Sequence, residues 1–315
     1  MTESARLDVV SALGDFFSRW LLALVIALAV LGLVWSGPPR SAVDHHGVNI
    51  ALVVLVAAVG LGLPTTALAQ ARAEWRLVLV AILLGALVLP VVAWLAGWVV
   101  PAGPLRLGVL AAGVAPSEVA AVALAGLAGG RAAVSAAVLI GSTVLSILTA
   151  GPVLQLLAGP GHGLSSVGLL WSLVRVVAVP LALGAVFRAR LPDRLAPRAD
   201  NISAVISSAA VLVLIWLVAG QAHLNVSYLQ AGVALLLYLA GSTVLGALIG
   251  RGLPGPDKIS LVLPIAMRDF AIAAGIATAA FGAPAAAALG IYGVLVLVFG
   301  AATARRPVNA ARHVE

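Results

Sequence analysis

Ten apolar stretches, each close to the roughly 20 residues that cross 30 Å of hydrocarbon, follow one another through this 315-residue chain. They lie near 18–36, 48–70, 77–100, 105–128, 132–158, 164–188, 201–220, 227–251, 258–281 and 284–304. Backbone groups in lipid find partners only within helices or closed barrels, and these long runs lack the alternation of barrel strands. The chain therefore reads as an all-α membrane protein with ten transmembrane helices. With 63% hydrophobic and 9% charged residues, it leaves no room for a soluble catalytic domain. A net charge of +7 would ordinarily raise nucleic acid as a partner, but the basic residues sit in short loops between spans, so none is expected. There is no cysteine, and the five histidines fall in loops without metal-ligand spacing. No cofactor, metal or enzymatic activity is expected.

The loops set orientation. With the amino terminus in the cytoplasm, 14 of the 18 Lys and Arg residues fall inside, among them Arg72, Arg131, Arg188, Arg194, Arg251 and Arg306. Arg40 and Arg106 fall outside, and Arg175 and Arg268 lie within spans. This asymmetry places both termini in the cytoplasm of a cell-membrane protein. The first span lacks a net-positive leader and is kept as a mature helix, and Val9 to Phe17 before it reads as a short interfacial turn.

Only two spans are interrupted by an acid: Glu118 in Ala115-Pro116-Ser117-Glu118, and Asp269 in Pro264-Ile265-Ala266-Met267-Arg268-Asp269. A carboxylate at that depth costs a few kcal/mol even on generous scales. An offset of 151 residues lays Glu118 on Asp269, Ala115 on Ala266, Ala123 on Ala274 and Ile140 on Ile291. Five spans per half is an odd number, so a repeat of 1–158 over 164–304 must be inverted in the membrane. Pro116 and Pro264 are expected to break the fourth and ninth spans and open a polar pocket. Glu118 and Asp269 are then a protonatable pair, and Arg268, Ser117 and Ser135 are candidate substrate ligands. A buried structural ion pair among Glu118, Arg268 and Asp269 is the plainer alternative. Arg175 either snorkels to a headgroup or faces a cavity.

These residues, with Gly60-Leu61-Gly62-Leu63, Leu89-Pro90, Leu127-Ala128-Gly129-Gly130, Val179-Pro180-Leu181-Ala182-Leu183-Gly184 and Gly290-Ile291-Tyr292-Gly293 in collinear order, resemble the bile acid:sodium symporter family over about 15–303. The resemblance implies a fold similar to sodium/proton antiporters. Its core would hold spans 3–5 and 8–10, with spans 4 and 9 broken and crossing, and its panel spans 1, 2, 6 and 7. It also implies sodium ligands that are missing here. The Thr-x-Ser-Asn stretch of sodium-coupled members matches Val119-Ala120-Ala121-Val122, their helix-3 glutamine matches Gly85, and their helix-9 Glu and Gln-Asn match Pro264 and Arg268-Asp269. Ser135 alone is kept. A hard cation wants about six oxygen ligands, so sodium coupling is not expected.

The chain is thus expected to be a secondary transporter of a small organic anion, proton-coupled or uncoupled. The alternatives are a sodium-coupled bile-acid-type symporter and a non-transporting membrane sensor or scaffold. An intramembrane aspartyl protease is disfavoured by the lack of a Gly-x-Gly-Asp motif. Substrate and oligomeric state are not legible in the sequence.

Overall fold

Backbone that cannot bond to water bonds to itself, and the apolar stretches are mainly helical in the computed structural model, which describes residues 20–63, 72–159 and 164–304. Helix α1 (Trp20–Val34) meets α2 (Gly37–Asp44) at a 90° bend. Pro38 and Pro39 follow that bend at the start of α2, where a missing N–H costs nothing. Next come α3 (Gly47–Leu61), α4 (Trp75–Leu87) and α5 (Leu89–Ala96), the last running on through a short tighter turn to Val99. Then follow α6 (Pro104–Val114), α7 (Ala120–Leu127) and α8 (Ala132–Ala158). Helix α9 (Ser166–Leu173) passes through a π-helical segment, Val174–Ala178, into α10 (Val179–Arg190). The chain continues through α11 (Ala196–Ala219), α12 (Val226–Ile249), α13 (Gly255–Ala266), α14 (Phe270–Phe281), α15 (Ala283–Ala286) and α16 (Leu289–Ala304).

Six of these segments are long and apolar enough to cross a membrane: 75–99, 132–158, 166–190, 196–219, 226–249 and 283–303. A seventh is the bent pair α1–α2. Helices α3, α6 and α14 are apolar but shorter. The stretches near 105–128 and 258–281 are each split into two helices. The interfacial turn expected at Val9 to Phe17, and Arg6, Arg19, Arg305, Arg306 and Arg312, lie outside the described residues.

The surface is apolar, as lipid requires and water would not allow. Leu183, Phe187 and Leu229 are 61–66% exposed, and Trp20, Trp35, Trp75, Trp98 and Trp171 are exposed near helix ends. Arg175 is exposed on the outside of its helix, on the side from which it can snorkel. Helix α3 packs on α10 and α11, while α6 packs on α5, α8 and α14, and α12 on α13. The α3–α10 crossing is close because Gly60 has no side chain; a Cβ there would stand 3.0 Å from the Ala185 nitrogen.

Ion pairs tie the helices together near their ends. On the arginine-rich face, Arg131 at the start of α8 pairs with Glu74 (2.7 Å) and with Asp257 of α13, and its backbone N–H donates to Ser260 Oγ at 2.6 Å. Those carboxylates raise the Arg131 pKa, so its charge is secure. Arg188 pairs with Asp200 (3.1 Å), tying α10 to α11. On the opposite face, Arg40 donates to the Gly220 carbonyl at 2.9 Å, tying α2 to the end of α11.

Candidate functional site

Helix α6 stops at Val114 because Ala115, preceding a proline, is extended (φ −65°, ψ 154°). Helix α13 stops at Ala266, with Met267 extended (φ −93°, ψ 109°). The two extended segments meet in an antiparallel bridge, Ser117 opposite Arg268. The Glu118 N–H donates to the Met267 carbonyl at 2.9 Å, and the Asp269 N–H donates to the Pro116 carbonyl at 2.9 Å. An offset of 151 separates the two donors, Glu118 and Asp269, and likewise the two acceptors, Pro116 and Met267. The crossing is therefore locally two-fold, in the register of the sequence repeat.

Pro264 does not make the second break, contrary to expectation. It lies inside α13, and the helix runs two residues beyond it. A helical proline removes one donor, here the partner of the Ser260 carbonyl four residues earlier. Ser135 Oγ donates to that carbonyl instead, at 3.3 Å, so the helix survives. Pro116 lies just beyond the end of α6, and the carbonyl four residues before it, Ala112, accepts from Tyr238 OH at 3.4 Å.

The other backbone groups of the breaks are also supplied from neighbouring helices, as a dry interior demands. Ser146 Oγ donates to the Val114 carbonyl (2.6 Å), and Ser242 Oγ donates to the Ala266 carbonyl (3.2 Å). The Ser117 N–H donates to Ser142 Oγ (3.1 Å), and the Arg268 N–H donates to Tyr292 OH (3.3 Å). Sequence reasoning missed Ser142, Ser146, Tyr238, Ser242 and Tyr292. Their signal was a hydroxyl within an apolar span, which does not say what it faces.

Both acids gather on the first turn of α14. Asp269 caps it, its Oδ1 accepting from the Ile272 N–H at 2.8 Å, and Glu118 Oε2 accepts from the Phe270 N–H at 3.4 Å. A helix N-terminus is the natural place for buried negative charge. Glu118 thus serves the first turn of α14 from across the crossing. Glu118 is 5% exposed and Asp269 2%.

Arg268 turns the other way. Successive side chains of an extended segment point to opposite sides. Its guanidinium, 2% exposed, donates through Nη2 to the Ala115 carbonyl and packs against Gly85 of α4. Among the described residues Nε and Nη1 have no hydrogen-bond partner, nor has Ser117 Oγ. Among the described residues the ion pairs are Arg131 with Glu74 and Asp257, and Arg188 with Asp200, so Arg268 is in none of them.

A cavity of about 290 Å³ opens between Val59, Asp200, Ser203 and Ser207 of α3 and α11 on one side and Val122, Ala132 and Leu139 of α7 and α8 on the other. Through Val59, Val119 and Leu139, which line both spaces, it adjoins a narrow cleft that reaches Thr143 and Asp269. Ser117, Ser135 and Arg268, the expected substrate ligands, line neither space. Among the described residues, no group of three His, Asp or Glu side chains is placed to hold a metal ion.

The profile of the sodium bile acid symporter family matches residues 49–231, more than half of the chain. The chain belongs to that family. This symporter-family protein is accordingly an integral membrane transporter acting on a small molecule, in a family of transporters rather than enzymes. No protein of curated function matches it.

Proposed function

We propose that the protein is a secondary active transporter of a small organic anion, working by alternating access and coupled to protons or uncoupled, with no use of sodium. Ten spans form two inverted five-helix repeats, residues 1–158 and 164–304, with both termini in the cytoplasm. Spans 3–5 and 8–10, which carry the crossing, rock against a panel of spans 1, 2, 6 and 7. Glu118 and Asp269 are the proton-coupling pair. The observation that carries this reading is the two-fold crossing of two broken helices, with both carboxylates buried on one half-helix N-terminus and Asp269 at the end of a crevice. Substrate enters that crevice, whose walls are mostly apolar, and meets Thr143 and Asp269 at its narrow end. Arg268, Ser117 and Ser135 support the site from within the core.

Uptake of labelled pyruvate and taurocholate into proteoliposomes tests this. A substrate found this way should enter equally with Na⁺, K⁺ or choline outside and respond to an imposed pH gradient. Glu118→Gln and Asp269→Asn should fold and lose the pH response. A steep, saturable Na⁺ dependence would instead establish a sodium-coupled bile-acid-type symporter.

A further inference from the structure

The crossing gathers a cluster of buried oxygens, with the Ala115 carbonyl on the side that Arg268 faces and the carboxylates of Glu118 and Asp269 on the other. Such a cluster attracts a cation, because Coulomb attraction is weakly screened there. The cation present is part of the chain. The Arg268 guanidinium bonds the Ala115 carbonyl, and Arg268 precedes Asp269 in the chain. Its remaining N–H groups, on Nε and Nη1, have no acceptor. A group buried only to make hydrogen bonds would not leave such donors idle. Its charge accounts for its place, since a buried charge persists where it balances others. Room is made for it from the opposite wall: a Cβ at Gly85 would stand 2.7 Å from Nη1 and 3.3 Å from Cζ.

We propose that Arg268 is a resident cation. It occupies a position at the helix crossing that a free monovalent cation would otherwise take, and it balances the charge of the core through every cycle. Emptying that position by mutation creates a site for Na⁺, K⁺ or the guanidinium ion. The proposal deepens the transport reading, on which its bearing on coupling rests, but its test is a binding measurement and needs no substrate.

Purified full-length protein is melted at matched ionic strength in NaCl, KCl, choline chloride or dilute guanidinium chloride. The wild type should melt at the same temperature in the first three salts. Arg268→Ala should melt lower and recover several degrees, saturably, with Na⁺, K⁺ or guanidinium and not with choline. Arg268→Lys, which keeps a tethered charge, should stay indifferent to all of them. If Arg268→Ala melts alike in every salt, or the wild type gains stability saturably with Na⁺, the proposal is overturned. Should Arg268→Ala not survive purification in choline, its recovery in NaCl supports the proposal. Its failure in both salts, with Arg268→Lys failing as well, sinks it. Absence of uptake for every anion tried would bear on the transport reading and leave these melting curves as they are.

Discussion

At Gly85 the absent side chain and the Arg268 guanidinium depend on each other. A methyl group there would press on Nη1, and the guanidinium would have to leave the Ala115 carbonyl to escape it. Gly85→Ala should therefore cost about 1–3 kcal/mol, the usual range for overpacking. In an Arg268→Ala background the same change should stabilise by up to about 1 kcal/mol, because alanine is the better helix former. Melting the two single variants and the double variant gives the coupling, expected at about 1–3 kcal/mol. Additive effects would mean that the two residues do not share this space. The sequence showed a buried charge at 268 and a missing side chain at 85. It could not show that they meet, because which way a side chain leaves an extended segment depends on where that segment is pinned.

The two prolines show how little a helix break owes to one residue. Pro116 coincides with the break in the fourth span, while Pro264 is accommodated because Ser135, distant in sequence, serves the carbonyl it frees. Pro264→Ala returns an N–H to the Ser260 carbonyl, so stability should be unchanged or higher by up to about 3 kcal/mol, with uptake kept. Pro116→Ala should instead lower uptake, since Ala115 is no longer held out of the helical region and Tyr238 loses the free Ala112 carbonyl. Melting temperature and uptake per folded molecule check both variants. A large loss on Pro264→Ala alone would return the second break to that proline. Local sequence marked the neighbourhood of each break. The stop at Ala266 goes with hydrogen bonds from outside its helix, Ser242 Oγ to the Ala266 carbonyl and the Glu118 N–H to the Met267 carbonyl.

A crevice of about 290 Å³ lies between the helix groups, and in the proposed transport cycle it is the gap that closes. Ala123 and Ala204 line it from opposite sides, and the chain has no cysteine to confuse labelling. Cysteines placed at both positions and joined by a short thiol crosslinker should stop uptake, while either single cysteine should be tolerated. A membrane-impermeant maleimide should reach a cysteine at Ala204 from the cytoplasm, and one at Ala102 only from outside. Uptake undiminished by a complete crosslink would mean that the two walls do not move apart.

Period, length and composition determined that the chain is helical and lives in lipid, because the cost of unpaired backbone in hydrocarbon leaves few alternatives. The sequence also contained the register of the crossing: the offset of 151 that lays Glu118 on Asp269 also lays Ser117 on Arg268, and these last two stand opposite each other in the structure. Tertiary structure alone decided what each polar side chain does. Asp269 faces the crevice and Arg268 the interior of the core because they are neighbours on extended backbone, and the hydroxyls of Ser142, Ser146, Tyr238, Ser242 and Tyr292 serve the breaks because packing brings three separate helices to them. Such contacts are set by the packing of separate helices, 24 to 126 residues apart along the chain, and a one-dimensional pattern carries the residue types without the directions in which they point.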